Sequence, residues 1–325
     1  MSAANASTAT ATIGTADLTG SGSPGTGGEP YCGRFAPSPT GDLHSGSLLT
    51  ATGSYLAARS RHGRWLVRME DVDRAREVPG AADRILRTLD CFGFEWDGLV
   101  VRQSDRLGLY EAALQRLKRE ERVYGCTCTR AELARLPRTS DDEAVYPGLC
   151  RKGARPSSLP PALRFLTGTT GHETVFEDAL QGRFAQDVAA QVGDFIVRRR
   201  DGYHAYQLAV VVDDAEQGIT EVVRGCDLLD NTPRQILLQR ALGLPTPGYC
   251  HLPVVAESDG SKLSKRERSV PLDPSRAPEM LHRTLQLLGQ SPPDDLASAS
   301  LATLWAWAVE NWRISSLRGQ AVVPY

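Results

Sequence analysis

No apolar run in this sequence reaches the length of about 20 residues that a helix needs to cross a bilayer. That argues against a helical membrane span and makes the cytoplasm the expected location. There is no large excess of either charge: 37 Lys and Arg stand against 39 Asp and Glu, for a formal net charge of −2. Such a balance neither demands nor forbids a nucleic-acid partner, because a local basic patch is what matters. Three clusters are candidates: Arg59, Arg61, Arg64 and Arg68; Arg198, Arg199 and Arg200; and Lys262, Lys265, Arg266 and Arg268. Each alone also fits solvated surface charge. Residues 1–30 contain neither Lys nor Arg. A secretory signal needs a basic start and an apolar core, and a transit peptide needs arginines, so this Ala-, Thr-, Ser- and Gly-rich stretch is expected to be a disordered tail. The seven cysteines are odd in number in a long chain, which argues against a disulfide framework. No heptad pattern or internal repeat is present, and a monomer is expected.

What is present suits a globular protein. The chain has 325 residues, 41% hydrophobic and 23% charged, enough for a sizeable core and two packed lobes. Tyr31 to Ala36 reads as a short strand, followed by the turn-forming run Pro37-Ser38-Pro39-Thr40-Gly41-Asp42. From Ser45 to Arg61 the spacing is helical, with Leu48, Leu49, Thr52, Tyr55 and Leu56 on one face and Gly63 as a stop. Arg64 to Glu70 reads as a second strand. This strand–helix–strand unit is the building block of a parallel sheet covered by helices, an α/β fold. Helices are expected around Ile85, Leu86, Leu89 and Phe92, and around Tyr110, Leu114 and Leu117. Tyr206 to Asp213 is a strongly buried run, and 233–243 is expected to be helical. The expected organisation is a first catalytic half at 31–122, an irregular insertion at 123–190, a second half at 191–270 and a short helical region at 271–325 packed by Trp305, Trp307 and Trp312.

Two local motifs carry chemistry. His44-Ser45-Gly46-Ser47 falls between a strand and a helix. A helix start offers free backbone N–H groups and partial positive charge to an anion such as a triphosphate, and glycine permits close approach. Alone, the motif also fits a surface histidine beside a helix cap. Lys262-Leu263-Ser264-Lys265 follows Asp259-Gly260 in a turn-like context. Loop lysines can fold over a developing pyrophosphate and stabilise charge that grows in the transition state, although a basic loop is the plainer account.

Together, in this order and after Arg34-Phe35-Ala36-Pro37-Ser38-Pro39-Thr40-Gly41, the two motifs resemble the paired signatures of class I aminoacyl-tRNA synthetases. The opening, with Arg68-Met69-Glu70-Asp71-Val72-Asp73 and Val222-Val223-Arg224-Gly225-Cys226-Asp227-Leu228-Leu229, is similar to the glutamyl branch. Sixty residues follow Lys265, too few for a large helical anticodon-binding region. The chain therefore resembles the truncated glutamyl-Q tRNA(Asp) synthetase family. Two positions depart from the general class I signatures: Ser47 replaces a second histidine and Arg266 replaces a serine.

The resemblance implies a Rossmann-like catalytic domain with a zinc-bearing insertion and a short helical C-terminal part. It implies activation of L-glutamate with ATP and Mg2+, without tRNA, and transfer to queuosine of tRNA(Asp). His44, Gly46, Ser47, Lys262, Leu263, Ser264 and Lys265 would bind ATP, with His44, Lys262 and Lys265 catalytic. Arg34, Phe35, Ala36, Pro37, Ser38, Glu70, Tyr206 and Arg224 would form the glutamate site. Glutamate's two carboxylates call for guanidinium groups, here Arg34 and Arg224, with the Tyr206 hydroxyl on the side-chain carboxylate, and its ammonium calls for a carboxylate, here Glu70. Glutamine would leave a buried arginine without its charge partner. In-line attack on the α-phosphorus needs positioning and charge stabilisation, so no general base is assigned. His62, His172, His204, His251 and His282 are expected in structural or surface roles. Cys126, Cys128 and Cys150 with Tyr146 match the family's zinc ligands; from spacing alone, three reduced buried cysteines fit as well. Two other functions fit the same motifs: a glutamate-activating ligase with another acceptor, and a catalytically silent RNA-binding paralogue.

Overall fold

The computed structural model describes residues 30–138, 144–256 and 271–324. Among these, no helix is long and apolar enough to cross a membrane. Strand β1 (Cys32–Phe35) is wholly buried and leads through the proline-rich turn into α1 (Ser45–Arg59). Strand β2 (Arg64–Met69) lies parallel to β1, with Cys32 opposite Arg64 and Phe35 opposite Val67. The left-handed residue after α1 is His62 (φ 53°), not Gly63. Gly63 is needed for a different reason: a Cβ there would lie 2.6 Å from the Tyr31 carbonyl oxygen. Helix α2 (Ala81–Cys91), strand β3 (Val101–Arg102) and helix α3 (Leu107–Arg119) follow, β3 running parallel to β2.

The segment expected as an insertion begins with β4 (Val123–Cys126), α4 (Arg130–Leu133) and β5 (Ala162–Phe165). Next come β6 (Thr174–Asp178), β7 (Gly182–Gln186), α5 (Val188–Gln191) and β8 (Ile196–Arg198). Strands β4, β5 and β8 make a small antiparallel sheet of their own. The hairpin of β6 and β7 instead joins the larger sheet through β6. The run beginning at Tyr206 is a helix, α6 (Tyr206–Glu216). Its apolar residues hide both possible periods because Gln207 to Asp214 are all buried.

Strand β9 (Glu221–Gly225), helix α7 (Thr232–Ala241) and strand β10 (Gly248–Leu252) complete the larger sheet, in the order β7-β6-β10-β9. The two sheet halves meet at β1 and β9, where the Thr220 N–H donates to the Cys32 carbonyl at 2.9 Å. That junction is where strand order reverses, the position at which open α/β sheets bind ligands beyond the carboxyl ends of their strands. The closing region holds α8 (Ala277–Leu287) and α9 (Leu301–Asn311). It also holds a strand, β12 (Val322–Pro324), which pairs in parallel with β11 (Val254–Ala256). These helices cover the side of α1 turned from the sheet, so α1 is buried almost all round and not on one face alone. Trp305 packs on Tyr55 and Phe94 with centroids 4.8 and 5.0 Å apart, and its indole N–H donates to the Phe92 carbonyl at 2.9 Å.

The basic cluster at 59–68 is not one surface patch. Arg59 pairs with Asp97 at 2.8 Å, Arg61 with Glu221 at 2.9 Å, and Arg68 is fully buried.

Candidate active site

A cavity of about 880 Å3 opens at the carboxyl ends of β1 and β9 against the start of α1. Its wall brings together Arg34, Phe35, Ala36, Pro37, Ser38, Glu70, Tyr206 and Arg224 from the expected amino-acid site with His44, Gly46 and Ser47 from the expected phosphate site. Lys262, Leu263, Ser264 and Lys265 lie outside the described residues. Val255 and Pro271, on either side of that segment, both line the cavity.

Arg224 is buried near the end of β9, and its guanidinium has two kinds of bond. Nε donates to His251 Nε2 at 3.1 Å, one terminal nitrogen to Gln235 Oε1 at 2.9 Å and the other to Thr232 Oγ1 at 2.8 Å. The remaining bonds, to the Tyr206 hydroxyl and the Leu228 carbonyl, are both 3.4 Å long, at the weak end of the range. Tyr206 and Leu228 line the cavity. Every one of these partners is neutral. Displacing the two long bonds would present one N–H from each terminal nitrogen to an incoming carboxylate, the fork geometry that arginine favours.

Arg34 is differently placed. Its Nε lies 3.1 Å from Asp214 Oδ1, with both side chains buried. Asp214 also takes Arg68 at 2.8 Å, and Arg68 reaches Glu70 at 3.2 Å. Neighbouring Asp213 accepts from Arg106 at 2.6 Å and from Gln103 and Tyr110 at 2.7 Å. Burial pushes the Asp214 carboxyl up, but Arg34 and Arg68 outweigh it and hold the group below its ordinary value. Burial has the larger effect on Glu70, whose carboxyl is raised against the pull of Arg68 and Arg34. The sequence signal for this network is the pair Asp213-Asp214 at the end of an apolar run, because acids that close a buried run must meet buried cations.

At the phosphate end, His44 is the N-cap of α1, and its Nδ1 accepts from the Ser47 N–H at 3.4 Å. In the neutral ring the proton is therefore on Nε2, which makes that nitrogen a donor. A Cβ on Gly46 would stand 3.1 Å from the His44 ring. The glycine thus makes room for the imidazole as well as for a ligand.

In the small sheet, the ligand atoms of Cys126, Cys128 and Cys150 lie within 4.8 Å of one another. The Tyr146 hydroxyl is 3.3 Å from Cys126 Sγ and 3.5 Å from Cys128 Sγ, and Cys128 Sγ is 3.6 Å from Cys150 Sγ. Three soft sulfurs and a phenol oxygen at that spacing fit one tetrahedral thiophilic ion. Burial raises the Cys150 thiol, but hydrogen bonds from the Tyr146 hydroxyl and the Thr127 backbone outweigh it and bring it down to about 7. The Arg164 guanidinium stacks 3.7 Å above the Tyr146 ring.

The sheet order, the cavity at its switch point and the helix-capping histidine define a class I synthetase catalytic domain. The family model described as tRNA synthetases class I (E and Q), catalytic domain, matches residues 32–300. A protein of Chromobacterium violaceum named glutamyl-Q tRNA(Asp) synthetase is 56% identical over 285 residues, 88% of this chain and 94% of its own. One of the same name from Dechloromonas aromatica is 54% identical over 296 residues, 90% of this chain and 98% of its own. The crystal structure of glutamate-tRNA synthetase from Elizabethkingia anophelis superposes with a TM-score of 0.75 at 26% identity, covering 91% of this chain and 68% of that one. The chain belongs to the glutamyl-Q tRNA(Asp) synthetase family.

Proposed function

We propose that the cavity activates L-glutamate with ATP, without tRNA, and that the glutamyl group then passes to queuosine of tRNA(Asp). One observation carries the amino-acid half: Arg224 is a buried guanidinium that, among the described residues, is met by neutral acceptors, in a wall that also holds Glu70. An anion with an ammonium nearby complements that pair. In this reading Arg224 and Arg34 serve the carboxylates with Tyr206, Glu70 takes the ammonium, and the chain from Arg34 through Phe35, Ala36 and Pro37 to Ser38 forms the floor.

The ATP phosphates lie at the α1 N-terminus, with Mg2+ arriving as part of the nucleotide. His44 donates from Nε2, Gly46 and Ser47 offer close backbone approach, and Lys262 and Lys265, with Leu263 and Ser264 between them, close over the phosphates. The glutamate α-carboxylate oxygen bonds to the α-phosphorus, the bond from that phosphorus to the bridging oxygen breaks, and pyrophosphate leaves. Charge growing on that leaving group is what the lysines and His44 stabilise. The name shared by the relatives supports the acceptor. Zinc held by Cys126, Cys128, Tyr146 and Cys150 would clamp the small sheet in a structural role.

ATP–pyrophosphate exchange with glutamate, glutamine and aspartate tests the first half. Exchange is expected with glutamate only, and Lys265→Ala should lose at least about tenfold in rate. Equal exchange with glutamine, or an unchanged Lys265 variant, overturns it. Transfer of labelled glutamate to tRNA(Asp) with and without queuosine tests the second half, and charging of unmodified tRNA alone defeats it.

A further inference from the structure

Arg224 is held from behind by a chain of groups that ends in a carboxylate. The first link is His251, on β10 and fully buried. An arginine Nε can only donate, so at 3.1 Å His251 Nε2 must be the acceptor. On the other side of the ring, Nδ1 lies 2.5 Å from Asp178 Oδ2. Asp178 also takes backbone N–H groups from Leu180 at 3.0 Å, Gln181 at 2.9 Å and His251 at 3.1 Å. A carboxylate with that many donors is ionised and accepts, so Nδ1 carries the ring proton. The Thr232 hydroxyl, 3.2 Å from Nε2, could pair with either tautomer, but the Arg224 and Asp178 contacts together permit one: proton on Nδ1, lone pair on Nε2.

We propose that Asp178 and His251 form a fixed-tautomer relay that aims Arg224 at the carboxylate of bound glutamate, with His251 acting as an acceptor and not as a proton carrier. The inference rests on the reading of Arg224 as a glutamate-binding residue and goes beyond it. Three bonds hold the guanidinium from behind, to His251, Gln235 and Thr232, and none of those residues lines the cavity. The two long bonds face the cavity and can be exchanged for substrate. The Asp178 charge reaches Arg224 only through the neutral ring. It balances the buried cation without occupying its fork, as a direct ion pair would. Arg34, engaged by Asp214, shows the alternative. His251 and Asp178 are positioning residues, since neither touches the cavity.

Substitutions at 251 separate this role from mere packing. A glutamine oxygen can take the place of Nε2 and still accept from Arg224. An asparagine mimics the Nδ1 side and donates to Asp178 but offers Arg224 nothing, and phenylalanine fills the space with neither. In ATP–pyrophosphate exchange, His251→Gln should keep the glutamate KM within about threefold of the unaltered protein. His251→Asn and His251→Phe should raise it at least tenfold while the ATP KM stays put. Three variants with equal glutamate KM, or parallel rises for ATP and glutamate, overturn the relay. Should a variant fold poorly, nitrogen-15 NMR of histidine-labelled full-length protein reads the tautomer directly. A buried Nδ1–H ring absent from the spectrum of any position-251 variant is expected, and an Nε2–H ring or an imidazolium overturns the proposal. Lack of glutamate-dependent exchange in the unaltered protein would defeat the functional reading. The NMR result stands apart from it and still decides the tautomer.

Discussion

Arg34 and Asp214 meet in the interior, Nε 3.1 Å from Oδ1, with the two side chains only 4% and 6% exposed. They come from β1 and α6, 180 residues apart in sequence. Asp214 also anchors Arg68, so one carboxylate serves two buried cations. Removing it takes from Arg34 its ion-pair partner and leaves Arg68 to Glu70 at 3.2 Å and to a longer contact with Asp213 at 3.8 Å. Asp214→Asn is expected to cost about 3–5 kcal/mol of stability, read as a lower urea midpoint. A stability unchanged to within about 0.5 kcal/mol would mean the network does not hold these elements together.

The two arginines of the cavity should fail differently. Arg224→Lys loses the planar fork and, because the ammonium can still donate once, one charge-assisted hydrogen bond worth about 1.5–3 kcal/mol. The glutamate KM should rise roughly 10- to 200-fold with a small change in urea midpoint. Arg34→Lys breaks the contact with Asp214, so its loss should show first in stability. The pair of variants, compared by exchange kinetics and urea unfolding, tests the contrast, and the reverse pattern refutes it.

Glu70 gives a pH signature. Its carboxyl is raised by burial, and only the ionised form attracts an ammonium. As pH falls, Glu70 should therefore take up its proton before an ordinary exposed glutamate does, and the glutamate KM should climb with it. Glu70→Gln should raise the KM at neutral pH to the level the unaltered protein reaches in acid, and remove that acid limb. A limb that survives in the variant belongs to another group.

Asp194 should govern acid stability in the small sheet. It is fully buried, bonded by Arg151 at 2.6 and 2.7 Å and by the Thr167 N–H at 2.9 Å. Burial raises its carboxyl, but the bonds from Arg151, Tyr124 and Thr167 win and hold it below its ordinary value. A depressed folded-state value means the stabilisation is complete above the unfolded value of about 3.9 and is lost as pH falls through the folded one. Asp194→Asn should lower stability at pH 7 by about 3 kcal/mol and flatten its dependence on acid.

The metal reading predicts one zinc per chain by elemental analysis. A strong chelator should lower the unfolding temperature, and Cys150→Ser should reproduce the drop without chelator. Gly193→Ala should do part of the same damage with every ligand intact: φ is 76° and an added Cβ would lie 2.0 Å from the Tyr146 carbonyl oxygen. Metal-free protein with an unshifted transition rules the clamp out.

Much of the architecture shows in the sequence because its punctuation is local. Pro37 to Asp42 marks the turn after β1, and the apolar runs on either side set β1, α1 and β2 within a residue or two. The cavity-lining motifs are also local strings, which is why residues from Arg34 to Arg224 can be named together before their positions are known. Long-range pairing is another matter. Asp178 and His251 are 73 residues apart, and nothing in either neighbourhood announces the other. His251 reads as an ordinary histidine until β6 and β10 are laid side by side. The hairpin of β6 and β7 likewise sits in irregular sequence, and only its register with Tyr249 shows which sheet it joins.

The parallel match of Val254–Ala256 with Val322–Pro324 splices two distant parts of the gene product into one panel of the cavity, since Val254 and Val255 face the ligand space and Val323 backs them. A mutational scan would therefore find sensitive positions near residue 323 that look unrelated to catalysis on a linear map.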